Sequence, residues 1–171
     1  MKKLYFVGGT MGVGKTATCQ ILKKKLPKSV FLDGDWCWDA DPFTVTEETK
    51  EMVVDNICHL LGNFLACSAY ENIIFCWVMH EQGIIDGILE RLDTASAEVF
   101  SVSLIATSEA LAKRLEKDIE NGVRQPDIIE RSIARIPMYS ELDTLKIDVS
   151  NITPDEAAQA IIKFTENKNE R

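Results

Sequence analysis

Eight residues near the amino terminus, Gly9-Thr10-Met11-Gly12-Val13-Gly14-Lys15-Thr16, limit what this chain can fold into more than any other feature. They follow the apolar run Leu4-Tyr5-Phe6-Val7 and lead into a segment with Cys19, Leu22 and Leu26 on one helical stripe. The pattern is G-x-x-x-x-G-K-[ST], set between a buried strand and a helix start. Its glycines let backbone N–H groups turn inward around a polyphosphate, and the helix amino terminus adds positive potential. Lys15 is suited to reach β- and γ-phosphates, and the Thr16 hydroxyl to ligate Mg²⁺. Thr18, just inside the helix, belongs with the loop as a nucleotide contact. A chance lysine in a glycine-rich turn does not explain why both flanks are right.

The rest of the chain continues the alternation. Val30-Phe31-Leu32, the run Ile73 to Met79, Val99 to Ala106 and Leu145 to Val149 read as strands. Three of the runs are almost wholly apolar, as strands covered on both faces of a parallel sheet must be. Val53, Ile57, Leu60, Leu61 and Phe64 form a helical stripe, and so do Leu111, Leu115 and Ile119. Thr153-Pro154-Asp155-Glu156 combines a capping Thr, Pro at the first helical position and Glu three residues after the Thr. Ser108 before Glu109, and Asp127 three residues before Glu130, mark two further helix starts, and Gly122 marks a stop. The order β-α-β-α-β-α-β-α-α-β-α implies an α/β sandwich with right-handed crossovers. At 171 residues one domain over 1–166 is expected, with Asn167 to Arg171 as a frayed tail.

Charge narrows the function. Asp and Glu number 27 against 19 Lys and Arg, a net charge of −8, which disfavours broad contact with nucleic acid or an anionic membrane. The five cysteines, Cys19, Cys37, Cys58, Cys67 and Cys76, contain no C-x-x-C pair and sit mostly in apolar runs, as buried reduced thiols do. The apolar run after Met1-Lys2-Lys3 is too short for a secretory signal or a membrane span. A cytoplasmic protein is expected, as monomer or homodimer.

The loop at Gly9–Thr16, the strand ending Asp33-Gly34-Asp35 and the arginine-bearing segment beyond residue 110 together resemble the P-loop small-molecule kinases. That group includes shikimate, gluconate and adenylylsulfate kinases, chloramphenicol phosphotransferase and, more distantly, adenylate kinase. The resemblance implies a five-stranded parallel sheet in the order 2-3-1-4-5, with ATP at the carboxyl edge of the strands. It also implies a mobile lid over the phosphates, at about residues 114–136. It places the connection around Asn151 against the adenine.

Two carboxylates end the second strand. Strand alternation turns Asp33 and Asp35 the same way, toward the edge that carries the phosphate loop. One can accept a proton from an attacking hydroxyl while the other holds Mg²⁺ or fixes the acceptor. An Asp-Gly-Asp turn with no chemistry is the plain alternative. Arg114, Arg124, Arg131 and Arg135 form a third group, since guanidinium groups stabilise the equatorial charge of a transferring phosphoryl group. Arg124 and Arg114 are the stronger candidates. Arg131 and Arg135 repel mildly as i, i+4 neighbours unless an anion lies between them, or Asp127 pairs with Arg131.

Two other nucleotide-binding signatures fit poorly. The run Ile73 to Met79 ends at His80, with Glu81 one step on, where motor ATPases carry an acid. Asn167-Lys168-Asn169-Glu170 is near the guanine-reading N-K-x-D element but falls after the last helix and ends in Glu.

The acceptor side should come from residues 29–90, which contain Lys50 as their single cation and many acids in their first half. That lacks the arginine grip a phosphate or carboxylate needs. A hydroxyl on a neutral or cationic small molecule is therefore expected. Trp36 and Trp38 share a face of an extended stretch and suit stacking on a ring or over a cation; Trp77 suits the core. His80 lies at the same edge as a further contact, whereas His59 reads as structural. The rival readings are a nucleoside monophosphate kinase whose phosphate clamp comes from the lid, and a nucleotide-binding switch or ATPase with no small-molecule acceptor.

Overall fold

Uninterrupted apolar runs favour strands buried from both sides, and the structure lays them edge to edge. It is a computed structural model that describes residues 1–169. Strands β1 (Lys2–Gly8), β2 (Ser29–Asp33), β3 (Asn72–Cys76), β4 (Ala97–Ile105) and β5 (Leu145–Asp148) form a parallel sheet in the order β2-β3-β1-β4-β5. Register is set by pairs such as Phe6 with Phe75 on β3 and with Ser101 on β4. Connecting them are α1 (Lys15–Lys25), α2 (Glu47–Ala66), α3 (Gln82–Leu89), α4 (Ser108–Glu120), α5 (Ile128–Arg135) and α6 (Pro154–Asn169). The fold class and strand order expected from the sequence both hold.

Side-chain alternation divides the core in two. Tyr5 and Val7 of β1 join Cys19 and Leu22 of α1, Leu111 and Leu115 of α4, and Ala158 and Ile161 of α6 on one face. Leu4 and Phe6 meet Val53, Ile57 and Leu61 of α2, Ile85 of α3 and Tyr139 on the other. Among the described residues no helix is long and apolar enough to cross a membrane. All five cysteines are free; Cys19 and Cys76 are buried, while Cys37, Cys58 and Cys67 are only partly so.

Several local expectations shift. β3 stops at Cys76 rather than Met79, level with the end of β2 at Asp33, although Trp77 N–H still donates to the Val7 carbonyl at 3.3 Å and Gly9 N–H to the Val78 carbonyl at 3.4 Å. Met79 then takes the left-handed conformation, φ 38, which turns the chain at His80. Thr107, not Ser108, caps α4 by accepting from the Ala110 N–H at 3.2 Å. Asp127 precedes α5 without capping it; its carboxylate accepts from Arg131 instead, at 3.0 Å. The box at Thr153 and Glu156 forms as expected, each side chain accepting from the other's backbone N–H. Of the tail expected from Asn167, α6 continues through Asn169, and residues 170–171 lie outside the described residues.

Because the sheet is parallel, β1, β2 and β3 all end at the same edge. The chain also passes from one side of β1 to the other after β3, and this combination opens a crevice at the carboxyl edge.

Candidate active site

The loop from Gly9 to Thr16 borders a cleft of about 420 Å³ at this edge. Gly12 has φ +82, and a Cβ there would stand 2.4 Å from Leu115 Cδ2, inside the buried contact between loop and α4. Gly12→Val is therefore expected to lower stability by about 1–3 kcal/mol through strain and overpacking. Urea unfolding followed by circular dichroism measures this; an unchanged midpoint counts against the loop–α4 contact. The Lys15 ammonium donates to the Thr10 carbonyl at 3.1 Å. Burial lowers its pKa, against the pull of the Asp35 and Asp33 charges. Thr10 is itself fixed, its hydroxyl donating to the Ser132 carbonyl of α5 at 3.0 Å.

Asp33 and Asp35 reach the cleft by a route different from strand alternation. The Asp33 carboxylate accepts from the Asp35 N–H at 3.1 Å, which ends β2 and starts a 3₁₀ turn over Gly34–Cys37. Its other oxygen accepts from the Thr16 hydroxyl at 2.7 Å. Trp77 lies against Gly34, where a Cβ would meet the ring at 2.5 Å, and its indole N–H donates to Asp35 at 3.2 Å. Trp77 thus orients an acid rather than only filling the core. Desolvation, and then the neighbouring Asp33 charge, raise the pKa of Asp35, though the residue as a whole is exposed, which moderates the shift.

The four arginines divide between two cavities. Arg114 and Arg124 border the phosphate cleft. Arg114 donates to the carbonyls of Val13, at 3.2 Å, and Val149, so it ties the phosphate loop to the segment after β5. Arg124 pairs with Asp118 at 3.2 Å, a partner invisible in the sequence because the turn at Gly122 folds the chain back on itself. Arg131 and Arg135 border a second cavity of about 510 Å³. Met11 and Asp35 line both spaces, so the two adjoin at Asp35.

The same 3₁₀ turn corrects the expectation for the tryptophans. Trp36 and Trp38 do not share an extended face: Trp36 packs edge-on against Phe31, whereas Trp38 borders the second cavity in a T-shaped contact with Phe43. Phe43 and Val45 also line that cavity and escaped the sequence reading. Their signal was two large apolar residues in an acidic loop just before a helix. His80 lies on the wall too, its pKa lowered by burial and by Arg135. The sequence count that favoured a neutral or cationic acceptor covered residues 29–90 alone. Helix α5 brings two arginines to the same wall, so the premise of that count does not hold.

A small hollow of about 160 Å³ adjoins the loop on its far side, bordered by Gly14, Thr18, Val149, Ile152 and Pro154. Asn151 stands exposed beside this wall rather than on it.

The sequence model of one family, described as an AAA domain, matches residues 6–135. The chain belongs to this AAA domain family. A search of curated proteins finds no match. Among solved structures, the AAA domain is similar to the tunicamycin resistance protein of Deinococcus radiodurans, at 18% identity over 96% of each chain with a TM-score of 0.70. It is similar to a gluconokinase from Sinorhizobium meliloti 1021, at 17% identity over 98% of this chain and 95% of the other, TM-score 0.68. It is also similar to the APS kinase of Mycobacterium tuberculosis in complex with AMPPNP and APS, at 13% identity over 96% and 98%, TM-score 0.65. The resemblance to P-loop small-molecule kinases is thus met at the level of fold. The span matched as an AAA domain takes in the phosphate loop, both acids and all four arginines, and leaves out β5 and α6.

Proposed function

We propose that the protein is an ATP-dependent phosphotransferase acting on a hydroxyl of a small molecule. The observation that carries this reading is the placement of Asp35 on the wall of both cavities. An acceptor in the larger space and a phosphate tail in the cleft meet at that carboxylate. The loop amides and Lys15 hold the β- and γ-phosphates, with Thr18 and the hollow beside Ile152 on the nucleoside side; AMPPNP in the similar APS kinase supports ATP as donor.

The acceptor oxygen forms a new bond to the γ-phosphorus as the bond from that phosphorus to the β–γ bridging oxygen breaks. ADP leaves, and the hydroxyl proton passes to Asp35. A raised carboxylate pKa suits that proton transfer. Thr16 and Asp33, hydrogen-bonded hard oxygen donors beside the loop, fit Mg²⁺, which needs one or two protein oxygens besides phosphate. When bound, the ion supplies neutralisation of phosphate charge. Arg124, held by Asp118, and Arg114 stabilise the transferring group, and residues 114–136 serve as the lid of a single domain over 1–166. The acidic surface and free thiols support a cytoplasmic enzyme, monomer or homodimer, without nucleic-acid or membrane partners.

The test is ADP release from ATP in a screen of nucleosides, nucleoside monophosphates, aminocyclitols and antibiotics. Release that depends on one hydroxyl compound, with a phosphorylated product, is the expected result. Release with monophosphates alone selects the monophosphate kinase, a reading that Arg131 and Arg135 on the cavity wall favour. Release without any acceptor selects an ATPase.

A further inference from the structure

The acceptor cavity has a chemistry of its own beyond the transfer it adjoins. Phe43 and Val45 are 59% and 54% exposed, yet both face the cavity, and Trp38 meets the Phe43 ring at 4.7 Å between centroids. Ile84 and Met11 continue that wall. Uncovered apolar side chains gathered in a concave space are suited to an apolar ligand surface. A volume of about 510 Å³ fits a molecule of two rings rather than a bare triol or hydroxy acid.

Charge is distributed unevenly around it. Lys50 is paired with Glu47 at 2.8 Å and Arg131 with Asp127 at 3.0 Å. Arg135 is half-buried and makes no hydrogen bond or ion pair among the described residues. Its side-chain neighbours His80 and Tyr139 offer no counter-charge: burial and Arg135 itself favour the neutral imidazole, and the Tyr139 hydroxyl donates to the Val78 carbonyl. A guanidinium keeps its charge at any ordinary pH and is suited to bidentate recognition of a carboxylate or phosphate. The acids of the wall, Asp35 and Asp39, lie with the 3₁₀ turn on the β2 side, whereas Arg135 belongs to α5.

We infer that the acceptor carries a flat apolar group and an anionic group besides its hydroxyl, the first lying on Trp38, Phe43 and Val45 and the second on Arg135. This rests on the phosphotransferase reading for the fate of the hydroxyl, but the recognition can be measured without turnover.

Four probes separate the two features: phenyl glucuronide, phenyl glucoside, methyl glucuronide and methyl glucoside. They are titrated by calorimetry into the protein saturated with a non-hydrolysable ATP analogue, which keeps them out of the phosphate cleft. Phenyl glucuronide is expected to bind about tenfold or more tightly than each of the other three. Arg135→Gln should abolish the preference for glucuronide over glucoside and keep that for phenyl over methyl, while Arg135→Lys keeps part of both. Trp38→Ala should show the opposite pattern. Melting curves and ATP-analogue binding check that each variant is folded. Equal affinity for glucuronide and glucoside, an Arg135→Gln variant with the ratio intact, equal affinity for phenyl and methyl probes, or no binding by any probe at about 10 mM each overturns the inference. ADP release recorded in parallel distinguishes the two ideas. Selective binding without ADP release, with this and any other acceptor, keeps the recognition and removes the transferase. ADP release with glucosides and not with glucuronides does the reverse.

Discussion

Asp35→Asn is expected to reduce turnover by about 10²–10⁴-fold, the range associated with loss of a general base, while affinity for an ATP analogue is retained. Asn keeps the shape and can still accept from the Trp77 indole N–H, so the loss isolates the proton-accepting role. The pH dependence provides a second check. Desolvation and the Asp33 charge hold the folded-state pKa of Asp35 above the ordinary 3.8, so activity should fall as pH drops through that raised value. The stability effect has the opposite direction. A carboxyl whose pKa rises on folding binds protons more tightly in the native state, so its ionisation weakens the fold as pH rises through the interval above 3.8. The Asn variant should therefore melt higher than the parent near neutral pH, and the difference should vanish well below 3.8. Normal turnover in Asp35→Asn removes Asp35 from the mechanism, and a variant that melts lower at neutral pH overturns the raised pKa.

Lys15→Met is expected to cost about 10²–10³-fold in turnover and to weaken nucleotide binding as well. Its ammonium feels the charge of both acids, and burial makes that ammonium costly to hold without an anion beside it. Deleting it removes the proposed phosphate contact and also an interaction that lowers the Asp35 pKa, so the acid limb of the pH profile should move further upward. The readouts are steady-state kinetics against pH and the rise in melting temperature on adding ATP analogue, which tracks affinity by mass action. A variant that keeps both the rate and the ligand-induced shift would show that the loop does not hold phosphate through Lys15.

Much of this architecture was legible because it is written in local patterns. The phosphate loop declares itself by residue type and spacing, and the apolar runs and the Thr153–Glu156 box declare the elements around it. The strand order came from resemblance, not from periodicity. What stayed hidden depends on where a side chain is led by a short turn or a distant element. Asp33 captures the Asp35 N–H, and that one hydrogen bond separates Trp36 from Trp38. Asp127 could cap a helix or pair with Arg131; spacing alone permits both, and the structure takes the pair. Counting charge by segment missed Arg131 and Arg135 because they lie 92 to 100 residues along the chain from Asp39 and Asp35, the acids on the same cavity wall.

The hydrogen bond from Thr10 to the Ser132 carbonyl joins the loop proposed to hold the nucleotide tail to the helix that carries Arg135. Two binding events connected through one buried contact are poor candidates for independence. If filling one compartment tightens the other, thermodynamic reciprocity requires the same factor in the opposite direction. Synergism between the two ligands, measured at equilibrium in either order, is therefore a property this short tether makes available to the molecule.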